Sequence, residues 1–181
     1  MTFFEYITVA VSLVLALAVA RTVDGLRSSF AAEKRYWVHA TWVVIKLTNP
    51  MTFWWTIWRF RDVETWNLAA FILIMSWPVV LYLQVTSLVT RQPELVTDWR
   101  SHFYEQRTWF FGANVLLNII GLPLAPLLGA QQSFSMARLV IVALSIVGLA
   151  TSKQRVHAII VIGIAITVIL GYWLPSYTPA A

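Results

Sequence analysis

The segment WVVIKLTNPMTFWW, which covers residues 42–55, places a lysine inside an otherwise apolar stretch. Counted at about 1.5 Å per residue, Lys46 would lie about 15 Å from Tyr36 along a helix, close to the middle of a bilayer. Insertion scales put a central lysine at about 2.5 to 3.5 kcal/mol, so such residues usually face a cavity or a partner. The Lys46 amine could therefore bind an anionic solute, take part in a proton-coupled step or form an ion pair.

Further polar side chains are predicted at a similar depth. Counting from the tryptophans at the ends of the apolar segments places Ser76 and Asn118 near the midplane. Asn49 follows Lys46 by three positions, so the two share a helical face, and Asn114 precedes Asn118 by one turn. The residues predicted to line a transport path or to form a polar core are Lys46, Asn49, Ser76, Asn114, Asn118 and Glu5.

Glu5 offers a structural explanation for Lys46. It lies one turn inside the outer end of the first apolar segment. A lysine side chain can extend about 6 Å toward that level by snorkelling. A buried Glu5–Lys46 pair would join the first two helices, and this explanation and the transport explanation both stay open.

Prolines interrupt the same apolar segments, at positions 50, 78, 123 and 126. Each proline removes a backbone donor and usually bends a helix. Many transporters build their binding sites from broken helices with polar residues near the midplane. Asparagines also join helices by hydrogen bonds, and proline is common in membrane helices, so a purely structural role is the alternative.

Three histidines could ligate a metal. His39, His102 and His157 are all predicted near the cytoplasmic face, where two imidazoles could hold a haem iron and three could hold zinc. No local spacing such as H-x-x-x-H is present. We therefore expect ordinary interfacial histidines, with no metal and no cofactor.

Catalytic motifs are also missing from the sequence. Ser76 and Ser145 do not lie in a G-x-S-x-G turn, there is no phosphate-binding glycine loop, and there is no cysteine to act as a nucleophile or thiolate ligand. An enzyme is thus less well supported than a protein without catalytic activity.

The composition indicates the environment of these residues. Of 181 residues, 59% are hydrophobic and only 12% are charged, with ten tryptophans and ten phenylalanines. A soluble domain of this size could not bury so much apolar surface, so the lipid bilayer is the predicted partner. The net charge of +5 comes from short loops, which indicates no nucleic-acid-binding face.

Six apolar segments predict the fold. They cover about residues 4–20, 37–57, 67–89, 109–129, 136–151 and 156–174, and the fifth is the shortest. No period-2 alternation is present, so helices are favoured over a β-barrel. The predicted fold class is all-α, a polytopic transmembrane bundle of about six helices that forms a single domain over residues 1–181. Leu95, Trp99 and Phe103 recur at i, i+4 spacing, which predicts a short interfacial segment near 94–107.

The basic residues predict the orientation. With the N-terminus outside, nine lysines and arginines fall in inner loops and three in outer loops, as the positive-inside rule requires. Six crossings then place the C-terminus outside as well. If the fifth segment does not span the membrane, the C-terminus would instead be cytoplasmic.

Three stretches carry a resemblance to other proteins. In order, EYITVAVSLVLALAVARTVDGL, YWVHATWVV and DWRSHFYEQRTWFFG resemble a widespread, uncharacterised group of small bacterial multi-pass membrane proteins. The similarity covers the first two thirds of the chain and rests on aromatic and basic anchor residues. It implies a protein of the bacterial inner membrane and supplies no activity or ligand.

Three functions are compatible with these patterns. The sequence favours a small channel or transporter with a midplane polar site around Lys46, and six helices make a homo-oligomer a natural companion hypothesis. The alternative is a non-catalytic scaffold or regulatory subunit that binds another membrane protein. A haem- or metal-dependent enzyme that uses the histidines has the least support.

Overall fold

The computed structural model describes residues 2–30, 35–129 and 135–173, without the side chains of residues 172 and 173. The described residues form six helices and no strand, which confirms the all-α fold class. The helices are α1 (Phe3–Ser29), α2 (Trp37–Ile57), α3 (Leu68–Leu88), α4 (Trp99–Ile120), α5 (Met136–Ala150) and α6 (Gln154–Val168). A helical turn, Leu124–Leu127, follows α4, and a π-helical turn, Ile169–Trp173, follows α6.

Short polar residues begin four of these helices. Thr2 and Glu5 form a capping box at the start of α1. The side chains of Asn67, Asp98 and Ser135 accept hydrogen bonds from the first backbone N–H groups of α3, α4 and α5. These bonds satisfy donors that have no partner within a helix, so each of them favours the start of a helix at its position.

Four helical stretches are long and apolar enough to cross a membrane. They are Phe3–Ser29, Leu68–Leu95, Trp99–Leu127 and Gln154–Gly171, while the apolar helix Met136–Ala150 is shorter. The chain is thus an all-α membrane protein. Its orientation in the membrane stays a prediction.

Helix α2 is long enough to span the membrane, but its most apolar stretch of that length is less apolar than those of these four. Ten of its 21 residues are buried, a larger share than in any other helix of the described ranges. The neighbours around the bundle follow the order α1–α3–α4–α5–α6–α2 and return to α1, and α2 also contacts α3 and α4. The other helices therefore shield from lipid the face of α2 that carries His39 and Lys46, while Val44, Met51 and Trp55 on this helix are exposed.

The helices run alternately between two ends of the bundle. At one end the indole N–H of Trp99 donates to the carbonyl of Ser28 over 3.1 Å. At the other end the rings of Phe3 and Trp66 lie 6.0 Å apart. We refer to these as the Trp99 end and the Phe3 end. The sequence predicts that the Trp99 end is cytoplasmic.

Two glycines allow helices to approach closely. A Cβ atom added to Gly148 of α5 would lie 2.7 Å from the ring of Phe111 on α4, and one added to Gly25 of α1 would collide with Val89. Glycine at position 148 therefore brings α5 against α4. One turn further along this contact, Asn114 and Ser145 meet.

The structure differs from the predicted boundaries at two helices: α1 continues to Ser29 rather than ending near residue 20, and α4 differs at both of its ends. This helix begins at Trp99, ten residues before the predicted start at 109, and ends at Ile120 rather than near 129. The predicted interfacial segment 94–107 is divided between the 3₁₀ turn Pro93–Leu95 and the first turns of α4. Trp99 and Phe103 are buried in the bundle, and this burial together with the Asp98 cap stabilises the earlier start.

Candidate functional site

The side chain of Lys46 lies inside the bundle and is only 3% exposed. Its Nζ donates a hydrogen bond to Oδ1 of Asn114 over 2.6 Å. It also lies 5.6 Å from the ring centroid of Trp42 and 5.5 Å from that of Phe110, within the range of cation–π attraction. The lysine thus faces other helices and not the lipid.

Asn114 connects Lys46 to two further helices. Its Oδ1 also accepts a hydrogen bond from Nε2 of Gln84 over 3.1 Å, and its Nδ2 donates to Oγ of Ser145 over 2.8 Å. All four side chains are 3% exposed or less. We call Lys46, Gln84, Asn114 and Ser145 the polar cluster. It joins α2, α3, α4 and α5.

Most of the amide and hydroxyl donors in the polar cluster have acceptors within the protein. Nε2 of Gln84 donates to the carbonyl of Phe110 over 3.0 Å as well as to Asn114. Oγ of Ser145 donates to the carbonyl of Ile141 over 2.6 Å. Because Nε2 of Gln84 faces two acceptors, the orientation of this amide is fixed, and its Oε1 is a buried acceptor without a hydrogen-bond partner among the described residues.

The amine of Lys46 has no carboxylate partner in the described parts of the chain. Its hydrogen bond goes to an amide oxygen, and the ion pair formed by Arg61 and Asp62 lies elsewhere. An amide oxygen carries only a partial negative charge. The polar cluster can therefore hold the amine in place without neutralising it.

Glu5 does not form the predicted buried pair with Lys46. Glu5 is exposed at the Phe3 end, where its Oε2 accepts a hydrogen bond from the backbone N–H of Thr2 over 2.9 Å. The capping box satisfies a free helix donor locally, whereas an ion pair would require the carboxylate to enter the bundle. Lys46 bonds to Asn114 instead.

The other predicted residues lie outside the polar cluster. Asn118 donates its Nδ2 to the carbonyl of Asn114 over 2.7 Å, so it adjoins the cluster without entering it. The hydroxyl of Ser76 donates a hydrogen bond to the backbone carbonyl of Ile72 within α3, over 2.6 Å. Asn49 is partly exposed. Of the predicted set, the structure brings together only Lys46 and Asn114.

Sequence reasoning missed Gln84 and considered Ser145 only as a possible nucleophile. Gln84 lies sixteen residues after Leu68, the first residue of α3, so counting from that end places it beyond the midplane. A glutamine within the apolar run LYLQV was nevertheless an available signal, because an amide in a membrane helix needs a hydrogen-bond partner.

The three histidines share the Trp99 end, but they do not form a metal site there. His39 Nε2 lies 2.9 Å from the carbonyl of Leu88, and its ring stacks on Trp99 at 4.6 Å. The His102 ring is 6.4 Å from that of His39, while His157 Nε2 bonds to a different carbonyl, over 2.8 Å. Among the described residues, no group of three potential ligands is placed to hold a metal. The absence of a cofactor stays a prediction.

An open pocket of about 360 Å³ lies at the Phe3 end. It is lined by Phe3, Tyr6, Trp66, Asn67, Leu68 and Phe71. None of these residues belongs to the polar cluster. The pocket and the Lys46 site are separate features of the bundle.

The comparisons with known proteins leave the site to be interpreted from its own geometry. No protein-family model matches the chain, and no characterised protein or solved structure matches it significantly.

Proposed function

We propose that the protein is a small membrane channel or transporter, in which the transported species passes the polar cluster at Lys46. The observation that supports this proposal is the amine itself, which is 3% exposed at the junction of four helices and has an amide oxygen, not a carboxylate, as its partner. Ionisable groups inside membrane proteins commonly mark the pathways of ions and substrates.

A purely structural role does not require a lysine. An apolar side chain of similar length could fill the same space without the cost of about 2.5 to 3.5 kcal/mol that insertion scales assign to a central lysine. Replacing buried charged groups by apolar ones often leaves stability unchanged or increases it. The amine is therefore better explained by an activity than by stability.

The proposal includes a location and an assembly. The excess of basic residues in the predicted inner loops supports a multi-pass protein with both termini outside, and the resemblance of the first two thirds of the chain implies the bacterial cytoplasmic membrane. Six helices are few for a complete transport path, so we propose a homo-oligomer as the functional form.

Reconstitution into liposomes tests this function. Fluxes of potassium, chloride, phosphate and protons would be measured for the parent protein, for Lys46→Met and for Ser76→Ala. Ser76 is a suitable control because its hydroxyl bonds within its own helix, outside the polar cluster. We expect one flux to be lost with Lys46→Met and kept with Ser76→Ala, with both variants folded.

The alternative function is a scaffold or regulatory subunit. It is favoured by the hydrogen bonds of Asn114 to two further helices, which would equally hold a static bundle together. No flux above that of empty liposomes, or an unchanged flux in folded Lys46→Met, would refute the transport proposal and leave the scaffold as the explanation.

A further inference from the structure

We infer that the species bound and moved at Lys46 is a proton and not an anion. This inference rests on the proposed transport function and names the substrate of the same site. It follows from the hydrogen-bonding groups that the polar cluster leaves free, and from the histidine that lies on the same helical face as Lys46.

An anion needs several donors that converge on it, and the polar cluster directs its donors elsewhere. Gln84 directs Nε2 to two oxygens, and the amide of Asn114 donates to Ser145. The unpartnered atom of Gln84 is Oε1, an acceptor that would repel an anion. The exchangeable group that remains is the amine of Lys46, which can take up and release a proton.

Helix α2 carries a second proton-accepting group in line with Lys46. His39, Trp42 and Lys46 are spaced at i, i+3 and i+7, so they follow one face of the helix. The carbonyl of Leu88 can only accept a hydrogen bond, so Nε2 of His39 carries the hydrogen and Nδ1 is the acceptor of the neutral ring. This Nδ1 is buried and has no hydrogen-bond partner in the described ranges.

The groups around His39 suit it to receive protons at the Trp99 end. From α4, the His102 ring lies 6.4 Å away, and its Nε2 is also unpartnered among the described residues. From α3, His39 faces the carbonyl of Leu88, which is at the negative end of the helix. Arg21 of α1 donates its Nη2 to the adjacent carbonyl of Val89 over 2.8 Å. Among the described residues, His102 and Arg21 are thus charged or titratable groups near this end of the route, and the Glu105 carboxylate on α4 interacts with His102.

The proton can be followed from one side of the bundle to the other. When local opening at the Trp99 end admits water to the buried ring, a hydronium ion gives its proton to Nδ1 of His39 and becomes water, and the imidazole becomes imidazolium. The imidazolium then passes a proton through hydrogen-bonded water to the Lys46 amine, so the ring returns to neutral imidazole and the amine becomes ammonium. Release of that proton to water on the Phe3 side restores the amine, so each cycle moves one proton and changes no covalent bond between heavy atoms.

The ring of Trp42 lies between the two proton-carrying groups on this face of α2, and the ring of Phe110 packs against it. Their centroids lie 4.7 Å apart in an edge-to-face arrangement, and both rings are completely buried. His39 and Lys46 are about 10 Å apart along α2, because each residue adds about 1.5 Å. This distance is too long for direct transfer, so the two rings must move apart before a proton can pass.

Two substitutions of Lys46 test the nature of the transported species. Protein in liposomes that contain a pH-sensitive dye would be exposed to a valinomycin-induced potassium diffusion potential, and proton and chloride fluxes would be measured separately. Lys46→Arg keeps a positive charge but does not release its proton. We expect both Lys46→Met and Lys46→Arg to lower the proton flux about 100-fold, as when a proton-transfer group is lost.

A pair of histidine variants tests the route. His157 is a matched control for His39, because its Nε2 also bonds to a backbone carbonyl and its Nδ1 is also unpartnered among the described residues, but it lies on α6. We expect His39→Gln, which keeps a donor for the Leu88 carbonyl, to lower the proton flux, and His157→Gln to leave it unchanged. Thermal unfolding of each variant establishes that it is folded.

The possible results separate this inference from the proposed function. A chloride flux that is lost in Lys46→Met and kept in Lys46→Arg would refute the proton as the transported species and would still support the transport function. Proton flux that is equally reduced by the His39 and His157 substitutions would overturn the route along α2. If the folded parent protein moves neither protons nor any of the tested ions, both the inference and the transport function are refuted.

Discussion

Replacing Asn114 by leucine should destabilise the bundle more than the same replacement of Asn118, the other asparagine of α4. The leucine has a similar size but cannot bond to Lys46, Gln84 or Ser145. When Lys46 is protonated, its hydrogen bond to Asn114 has a charged donor and contributes about 1.5 to 3 kcal/mol. Each of the two neutral bonds contributes about 0.6 kcal/mol in a membrane protein. The expected decrease in the free energy of unfolding is thus about 3 to 4 kcal/mol.

The matched control is Asn118→Leu. Asn118 lies one turn away on the same helix and donates one hydrogen bond, to the carbonyl of Asn114. Its loss should cost about 0.6 kcal/mol, and at most about 1.7 kcal/mol. Unfolding of both variants by sodium dodecyl sulfate in mixed lipid–detergent micelles would give the two free energies under identical conditions.

A double-mutant cycle isolates the contact between Lys46 and Asn114. Once Lys46→Met has removed the amine, Asn114→Leu can no longer leave a charged donor without its acceptor. The coupling free energy between the two substitutions should therefore be about 1.5 to 3 kcal/mol. A coupling below about 0.5 kcal/mol, or equal costs for the two asparagine variants, would refute the central position of Asn114.

Three further predictions follow from other parts of the fold. Gly148→Ala should cost about 1 to 3 kcal/mol in unfolding because its methyl group meets an aromatic ring of α4. The methyl group of Gly112→Ala meets nothing within 4 Å, so this control should not lower the free energy of unfolding. Equal decreases for the two glycine variants would argue against the close α4–α5 contact. The hydrogen bond from the backbone N–H of Arg100 lowers the pKa of the Asp98 carboxyl in the folded protein. The Asp98 carboxylate should therefore stabilise the fold at a pH above its unfolded-state pKa, and this contribution should be lost as the pH falls through the lower folded-state pKa. Asp98→Asn should keep the helix cap and remove this pH dependence in acid unfolding. Reporter fusions after Val96 and at the C-terminus should give opposite signals, and equal signals would refute the predicted orientation.

The sequence alone was sufficient for the class of protein and for most helix positions. A long apolar run forms a helix in lipid because every backbone group must be satisfied within the segment, and this requirement is local. The predicted range 37–57 coincides with α2, and 67–89 differs from α3 by one residue at each end. Hydropathy alone does not place α2 among the spanning helices, because the polar residues of α2 lower its mean hydropathy. Those residues are tolerated because other helices, which lie far away in the chain, pack against them.

The start of α4 depended on tertiary structure. Trp99 and Phe103 belong to a charged, aromatic stretch that is typical of a membrane surface. In the fold they are buried, and Trp99 bonds to the end of α1. The burial of these two large aromatic rings stabilises the stretch as the first turns of α4 and not as a separate segment at the surface.

The membership of the site was also decided by tertiary structure. Depth along a helix can be counted from sequence, and this count identified Lys46, but it also selected Ser76 and Asn118 and passed over Gln84. Asn114 was predicted only because it lies one turn before Asn118. Which groups meet depends on the rotation and the axial position of each helix. These are set by contacts between residues far apart in sequence, such as the approach of Gly148 to α4. The sequence therefore determines that a polar group lies within the membrane, and only the packing of the helices determines its partner.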